Sequence, residues 1–169
     1  MTRRAVVQKW ILYSLCALAL VLVQSLLLVR VQVWGVHPFL LPAIAVIPVT
    51  LERDEGALLF SVFFGLACDL LTPVAGLPCF YALAFLVSGG LAWLLSGRVV
   101  AAGLVCSLAA AASALVVCGV LHLAVLAGSQ SVDATAAAVL AGKEAALSLP
   151  LTVLVHYPFR RICLLTQRD

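Results

Sequence analysis

The amino-acid sequence predicts an all-helical, polytopic membrane protein: a six-span transmembrane bundle with both termini in the cytoplasm. Three observations carry this. First, 65% of the 169 residues are apolar and 10% are charged, against about 45–50% and about 25% in an ordinary soluble domain. Ten Lys/Arg and seven Asp/Glu side chains cannot coat a globule of this size, so lipid is the expected solvent. Second, apolar stretches recur six times, each bounded by charge, Pro, Gly or Ser. Third, Lys and Arg fall almost entirely on one side of an alternating layout. Six spans of about 20 residues each use up most of the chain, which is therefore one transmembrane domain. The composition argues against a soluble enzyme, a disulfide scaffold, a disordered chain and a nucleic-acid binder.

The first span is expected over residues 10–29. Arg3, Arg4 and Lys9 precede it, as they would in a signal peptide. The run is too long for a signal h-region, however, and no Ala-x-Ala site follows, so it is read as a retained helix. The second span, 36–51, is broken by Pro38, Pro42 and Pro48. Residues 39–51 give about 20 Å at helical rise, short of the roughly 30 Å hydrocarbon core, so a re-entrant segment is the alternative to a crossing. The third, 57–71, lies between the charged stretch Glu52–Gly56 and Thr72-Pro73. The fourth, 79–95, closes at Ser96-Gly97-Arg98. The fifth, 99–127, is long enough to cross with tilt, and Gly128–Ser131 reads as a loop. The sixth, 134–158, holds Lys143 and Glu144 and is closed by Arg160-Arg161.

Charge bias decides whether the second stretch crosses. With six crossings the inner side holds Arg3, Arg4, Lys9, Arg53, Arg98, Arg160, Arg161 and Arg168, and the outer side only Arg30. Without the second crossing the split becomes three inside against six outside. The positive-inside rule prefers six. The prolines then require a kinked, partly protein-buried helix, because freed backbone groups need partners other than lipid.

Three ionisable groups stand inside apolar runs: Asp69, Lys143 and Glu144. Charges at membrane depth usually face the bundle interior or water. Counted from the inner ends of their helices, Asp69 and Lys143 lie at about 18 Å and about 22 Å. That spacing permits a pair that joins two helices, a partner- or substrate-facing site, or snorkelling to the outer surface. A further alternative has Asp69 accept hydrogen bonds from the backbone of residues 72–76.

Small residues recur at four-residue spacing: Ala57, Ser61 and Gly65 on the third span, and Ala84, Ser88, Ala92 and Ser96 on the fourth. They permit close helix approach, within the chain or with a second copy. The six cysteines form no CxxC motif and read as small buried hydrophobes. His37, His122 and His156 are scattered, and no nucleophile elbow, P-loop, HExxH or dinucleotide fingerprint occurs. No cofactor and no metal is expected.

A family pattern is carried by Trp34-Gly35-Val36-His37-Pro38, Glu55-Gly56-Ala57, Gly65-Leu66-Ala67-Cys68-Asp69-Leu70-Leu71 and Gly76, followed by Leu149-Pro150-Leu151 and Phe159-Arg160-Arg161. In order and spacing these resemble the rod shape-determining MreD family, most specifically over residues 34–76. The motif positions are Gly35, Pro38, Gly56, Gly65, Asp69 and Gly76. The chain departs from that pattern at Lys143-Glu144, where the family often carries Asn. The resemblance implies a non-enzymatic inner-membrane scaffold of the bacterial elongation machinery, acting in cell shape and lateral peptidoglycan synthesis. Its implied partners are an MreC-like protein and, indirectly, MreB, RodA and its penicillin-binding transpeptidase. A competing expectation is the substrate-binding membrane subunit of an energy-coupling-factor-like transporter, which the broken second helix and intramembrane charges would suit.

Overall fold

The computed structural model describes residues 3–72, 79–98, 103–129 and 134–166. Gly76, Arg168 and the predicted loop positions Gln130 and Ser131 lie outside them. Among the described residues the regular structure is helical: α1 (Arg3–Leu26), α2 (Leu41–Glu52), α3 (Glu55–Leu71), α4 (Phe80–Arg98), α5 (Leu104–Ser129) and α6 (Ala134–Thr166). A single 3-10 turn, Leu28–Arg30, follows α1. Among the described residues three segments are long and apolar enough to cross a membrane: Val6–Arg30, Leu104–Val125 and Thr135–Thr166. Large apolar side chains such as Ile11, Leu15, Phe63, Val116 and Leu154 stand on the outside, which suits a surround of lipid rather than water.

The second helix is the axis of the fold. Every residue from Leu41 to Thr50 is buried, and α2 touches all five other helices. Its sequence, LPAIAVIPVTLE, is apolar on every face until its last turn, which is the pattern of a helix enclosed by protein. It begins at Leu41, five residues later than the predicted span. Proline locks its own φ and lacks an N–H, so Pro42 fits the first helical turn, while the approach, residues 37–40 around Pro38, has no regular structure. Twelve residues give about 18 Å of helix, short of the roughly 30 Å hydrocarbon core.

That approach leaves backbone groups for side chains to satisfy. Gln24 of α1 donates to the Pro38 carbonyl at 2.9 Å and accepts from the Leu40 N–H at 2.9 Å. Ser148 of α6 accepts from the Phe39 N–H at 2.8 Å. Irregular backbone at membrane depth is tolerated where protein closes over it in this way. Just before it, Trp34 and Gly35 have φ of 56° and 79°, and Val33 and Val36 exchange two hydrogen bonds of 3.1 Å. Two successive positive-φ residues inside such a pair make a type I′ turn, which favours Gly at its second central position.

The helices alternate in direction. One end of the bundle gathers Lys9, Glu52, Ser107 and His156 through direct contacts. The other gathers Gln24, Phe39, Asp69, Tyr81, His122 and Ser148. Residues 3 and 166 therefore lie at the same end.

Candidate functional site

Asp69 lies near the end of α3 and faces the start of α4. Its Oδ1 accepts from the Tyr81 N–H and its Oδ2 from the Ala82 N–H, each at 2.9 Å. These are among the first N–H groups of α4, which have no partner within the helix, and the carboxylate also meets the positive end of the helix dipole. One turn earlier on α3, Gly65 makes the approach possible. A Cβ there would fall 2.7 Å from the Ala82 Cα and 2.7 Å from the Tyr81 carbonyl oxygen. Gly65 and Asp69 thus form one device, in which the glycine admits the α4 backbone and the aspartate binds it. Ser61, a further turn down, donates to the Phe85 carbonyl at 3.1 Å.

The expected pair between Asp69 and Lys143 is not formed. Among the described residues no ion pair joins them, and Lys143 is exposed on α6. Matched depth left the rotation of each helix undetermined, and α3 turns Asp69 toward α4. The backbone alternative is nearer the mark, but the donors are Tyr81 and Ala82 rather than residues 72–76. The small-residue stripes are buried: Ala57, Ser61 and Gly65 on α3, and Ala84, Ser88, Ala92 and Ser96 on α4. Phe85 and Gly89 meet α3. Ala84, Ser88 and Ala92 sit one residue earlier, about 100° around the helix, toward α2 and α5, the other helices that α4 touches.

Glu144 is half-buried and lines a cavity of about 290 Å³ between α4, α5, α6 and the approach to α2. Phe39, Phe80 and Tyr81 form one wall, with Leu115, Cys118 and His122 on α5 and Leu140 on α6. The rings are packed against one another: Phe39 lies 6.3 Å from Tyr81, and Phe80 is edge-on to His122 at 6.1 Å. Tyr81 joins the cavity to the Asp69 device, since its N–H is the group that Asp69 binds. Among the described residues the Glu144 carboxylate makes no hydrogen bond or ion pair, although its backbone carbonyl accepts from Ser148 at 2.7 Å. A carboxylate among aromatic faces is suited to a cationic nitrogen.

The opposite end of the bundle holds two polar clusters. Lys9 is 5% exposed and pairs with Glu52 at 2.6 Å, while the Tyr13 hydroxyl donates to the other Glu52 oxygen at 2.8 Å. Asp54 caps α3 by accepting from the Ala57 N–H at 2.8 Å. Deeper in, Thr50, Ser107 and His156 link α2, α5 and α6: the hydroxyls lie 3.0 Å apart, and the Ser107 Oγ is 2.9 Å from His156 Nδ1. His156 Nε2 is buried with no hydrogen-bond partner among the described residues. No group of His, Cys, Asp and Glu among the described residues could hold a metal ion.

Gln24, Ser148 and Ser107 were not singled out in the sequence, and His156 was read there only as one of three scattered histidines. Each is an isolated polar residue in an apolar helix, and that isolation is the one signal available. Among the residues that carry the resemblance, Gly35 completes the turn, Pro38 lies in the approach to α2, and Gly56 faces the Trp10 ring, where a Cβ would come within 2.8 Å. No family model, no curated protein and no solved structure matches this chain.

Proposed function

We propose that the chain is a multi-pass scaffold of the bacterial inner membrane, of the rod shape-determining MreD type. It would act through helix contacts rather than catalysis, binding an MreC-like protein and through it MreB, RodA and its penicillin-binding transpeptidase. The observation that carries this reading is the fit between the resemblance and the fold. Gly35 takes a positive φ, Gly56 faces the Trp10 ring, Gly65 admits the α4 backbone, Asp69 binds it, and Pro38 stands where the chain enters α2. Turn and close-approach positions of this kind support a chain that works through helix contacts. The six helices would then be six crossings. The end carrying Arg4, Arg53, Arg160 and Arg161 would face the cytoplasm, and the end near Arg30 and Lys143 the outside.

Co-expression with an MreC-like protein tests this. The expected result is co-purification in detergent, together with loss of rod shape when the chain is depleted. A purified chain that alone turned over a lipid-linked substrate would overturn the scaffold reading. The transporter-subunit reading is favoured by the Glu144 cavity, and it requires purified protein to retain a vitamin-like molecule there.

A further inference from the structure

The cavity beside Glu144 combines a size, a charge arrangement and a depth that point to one kind of occupant. At about 290 Å³ it is far too small for a helix, whose diameter is about 10–12 Å with side chains. It suits a compact polar group. Glu144 lines it, and Lys143, the residue before it on α6, lies about 100° around the helix and is exposed. Neither side chain has a hydrogen bond or ion pair among the described residues, although the His37 imidazole is near enough to act on Glu144 electrostatically. A carboxylate and an ammonium at adjacent positions, neither held in an ion pair, match a ligand that carries both charges in reverse.

The depth agrees. α6 is 33 residues long, about 50 Å, and so overshoots a hydrocarbon core of roughly 30 Å. Taking the exposed Arg160-Arg161 pair as one interface, Lys143 lies 17 residues away, about 26 Å. That places Lys143 and Glu144 within a turn of the opposite headgroup layer. The surface beside the cavity is exposed and apolar, with Val116 and Val120 on α5 and Val139 and Leu140 on α6, and is suited to acyl chains.

We infer that this cavity binds the headgroup of an ammonium-bearing zwitterionic phospholipid of the phosphatidylethanolamine class. The ammonium sits against Glu144 and the aromatic wall, the phosphate meets Lys143, and the chains lie along α5 and α6. The inference depends on the membrane embedding of the bundle and not on the scaffold role, so either can fail alone.

Native mass spectrometry of the full chain released from nanodiscs of phosphatidylethanolamine and phosphatidylglycerol tests it. Retained phosphatidylethanolamine should exceed phosphatidylglycerol, and Glu144→Gln should cut that preference about tenfold, the worth of one charge-assisted hydrogen bond. Lys143→Gln, a change at an exposed position, should weaken retention of both lipids and gives a second readout if the first variant folds poorly. Equal retention of the two lipids by the wild type would overturn the assignment, as would an unchanged preference in Glu144→Gln. So would a photo-crosslinker at Leu140 that captured a basic partner helix instead of lipid.

Discussion

Asp69 shows how a single carboxylate settles its cost in an apolar helix. Both its oxygens are committed to backbone N–H groups of α4, so Lys143 has no part in its stabilisation. Depth along a helix was legible in the sequence, but the direction in which the side chain points was not. Asp69→Ala should lower stability by about 1–3 kcal/mol, because two helix-start donors lose their acceptor. Asp69→Asn should fall between, since one oxygen remains. Lys143→Gln should rescue neither, and the double variants should be additive within about 0.5 kcal/mol. Thermal unfolding in detergent reads this, and recovery by Lys143→Gln would restore the ion-pair interpretation. His156 makes the converse case. Its Nε2 already lacks a hydrogen-bond partner among the described residues, and Ser107 retains Thr50 if the imidazole is removed. His156→Phe should therefore cost less than about 1 kcal/mol, whereas Ser107→Ala, which strands Nδ1 as well, should cost about 1–3 kcal/mol. The reverse order in the same melts would show that His156 holds the network together.

At the level of elements, hydropathy located the helices but not their ends. α1 begins at Arg3 and α6 runs to Thr166, both through charged residues placed outside the predicted spans. Arg and Lys are good helix formers, so charge marks the edge of the hydrocarbon without stopping the helix. The three prolines suggested a broken second helix, but α2 runs unbroken from Leu41 to Glu52 with Pro48 inside it, and only its start is displaced past Pro38. What was not legible was the clamp from Gln24 and Ser148, which comes from 16 and 109 residues away. The packing of α3 on α4 yields a paired test. Gly65→Ala would drive a methyl into the backbone of α4 at 2.7 Å, with no flexible side chain to yield. It should cost about 1–3 kcal/mol, the range for overpacking. Gly90, also in α4, has nothing within 4 Å of a Cβ. Gly90→Ala should stabilise by up to about 1 kcal/mol through helix propensity alone. Similar effects at the two positions would mean that α3 and α4 are not in this close contact.

Across the whole molecule, the alternation of helix direction and the distribution of charge agree. Arg4, Arg53, Arg160 and Arg161 lie at the end where Lys9 meets Glu52, and Arg30 lies at the other. The same ends are tied together by contacts between helices far apart in sequence. Thr50, Ser107 and His156 link α2, α5 and α6, and the Tyr13 and Phe159 rings stack at 5.6 Å between α1 and α6. Inverting α3 to α6 relative to α1 and α2 would part Thr50 from Ser107 and Gln24 from its neighbours around Ser148. It would leave the α2 approach with open backbone groups in lipid, at several kcal/mol each. On the proposed topology, orientation would be set by charge during insertion and kept by packing afterwards. Removing one basic residue should not reverse it. Reporter fusions after Arg53, Arg98 and Arg168 should all read cytoplasmic, and the Arg98 fusion should stay cytoplasmic in an Arg53→Gln background. A periplasmic reading at Arg98 in the wild type would remove the six-crossing topology. The same reading in the Arg53→Gln background alone would show that charge fixes the orientation without help from the packing.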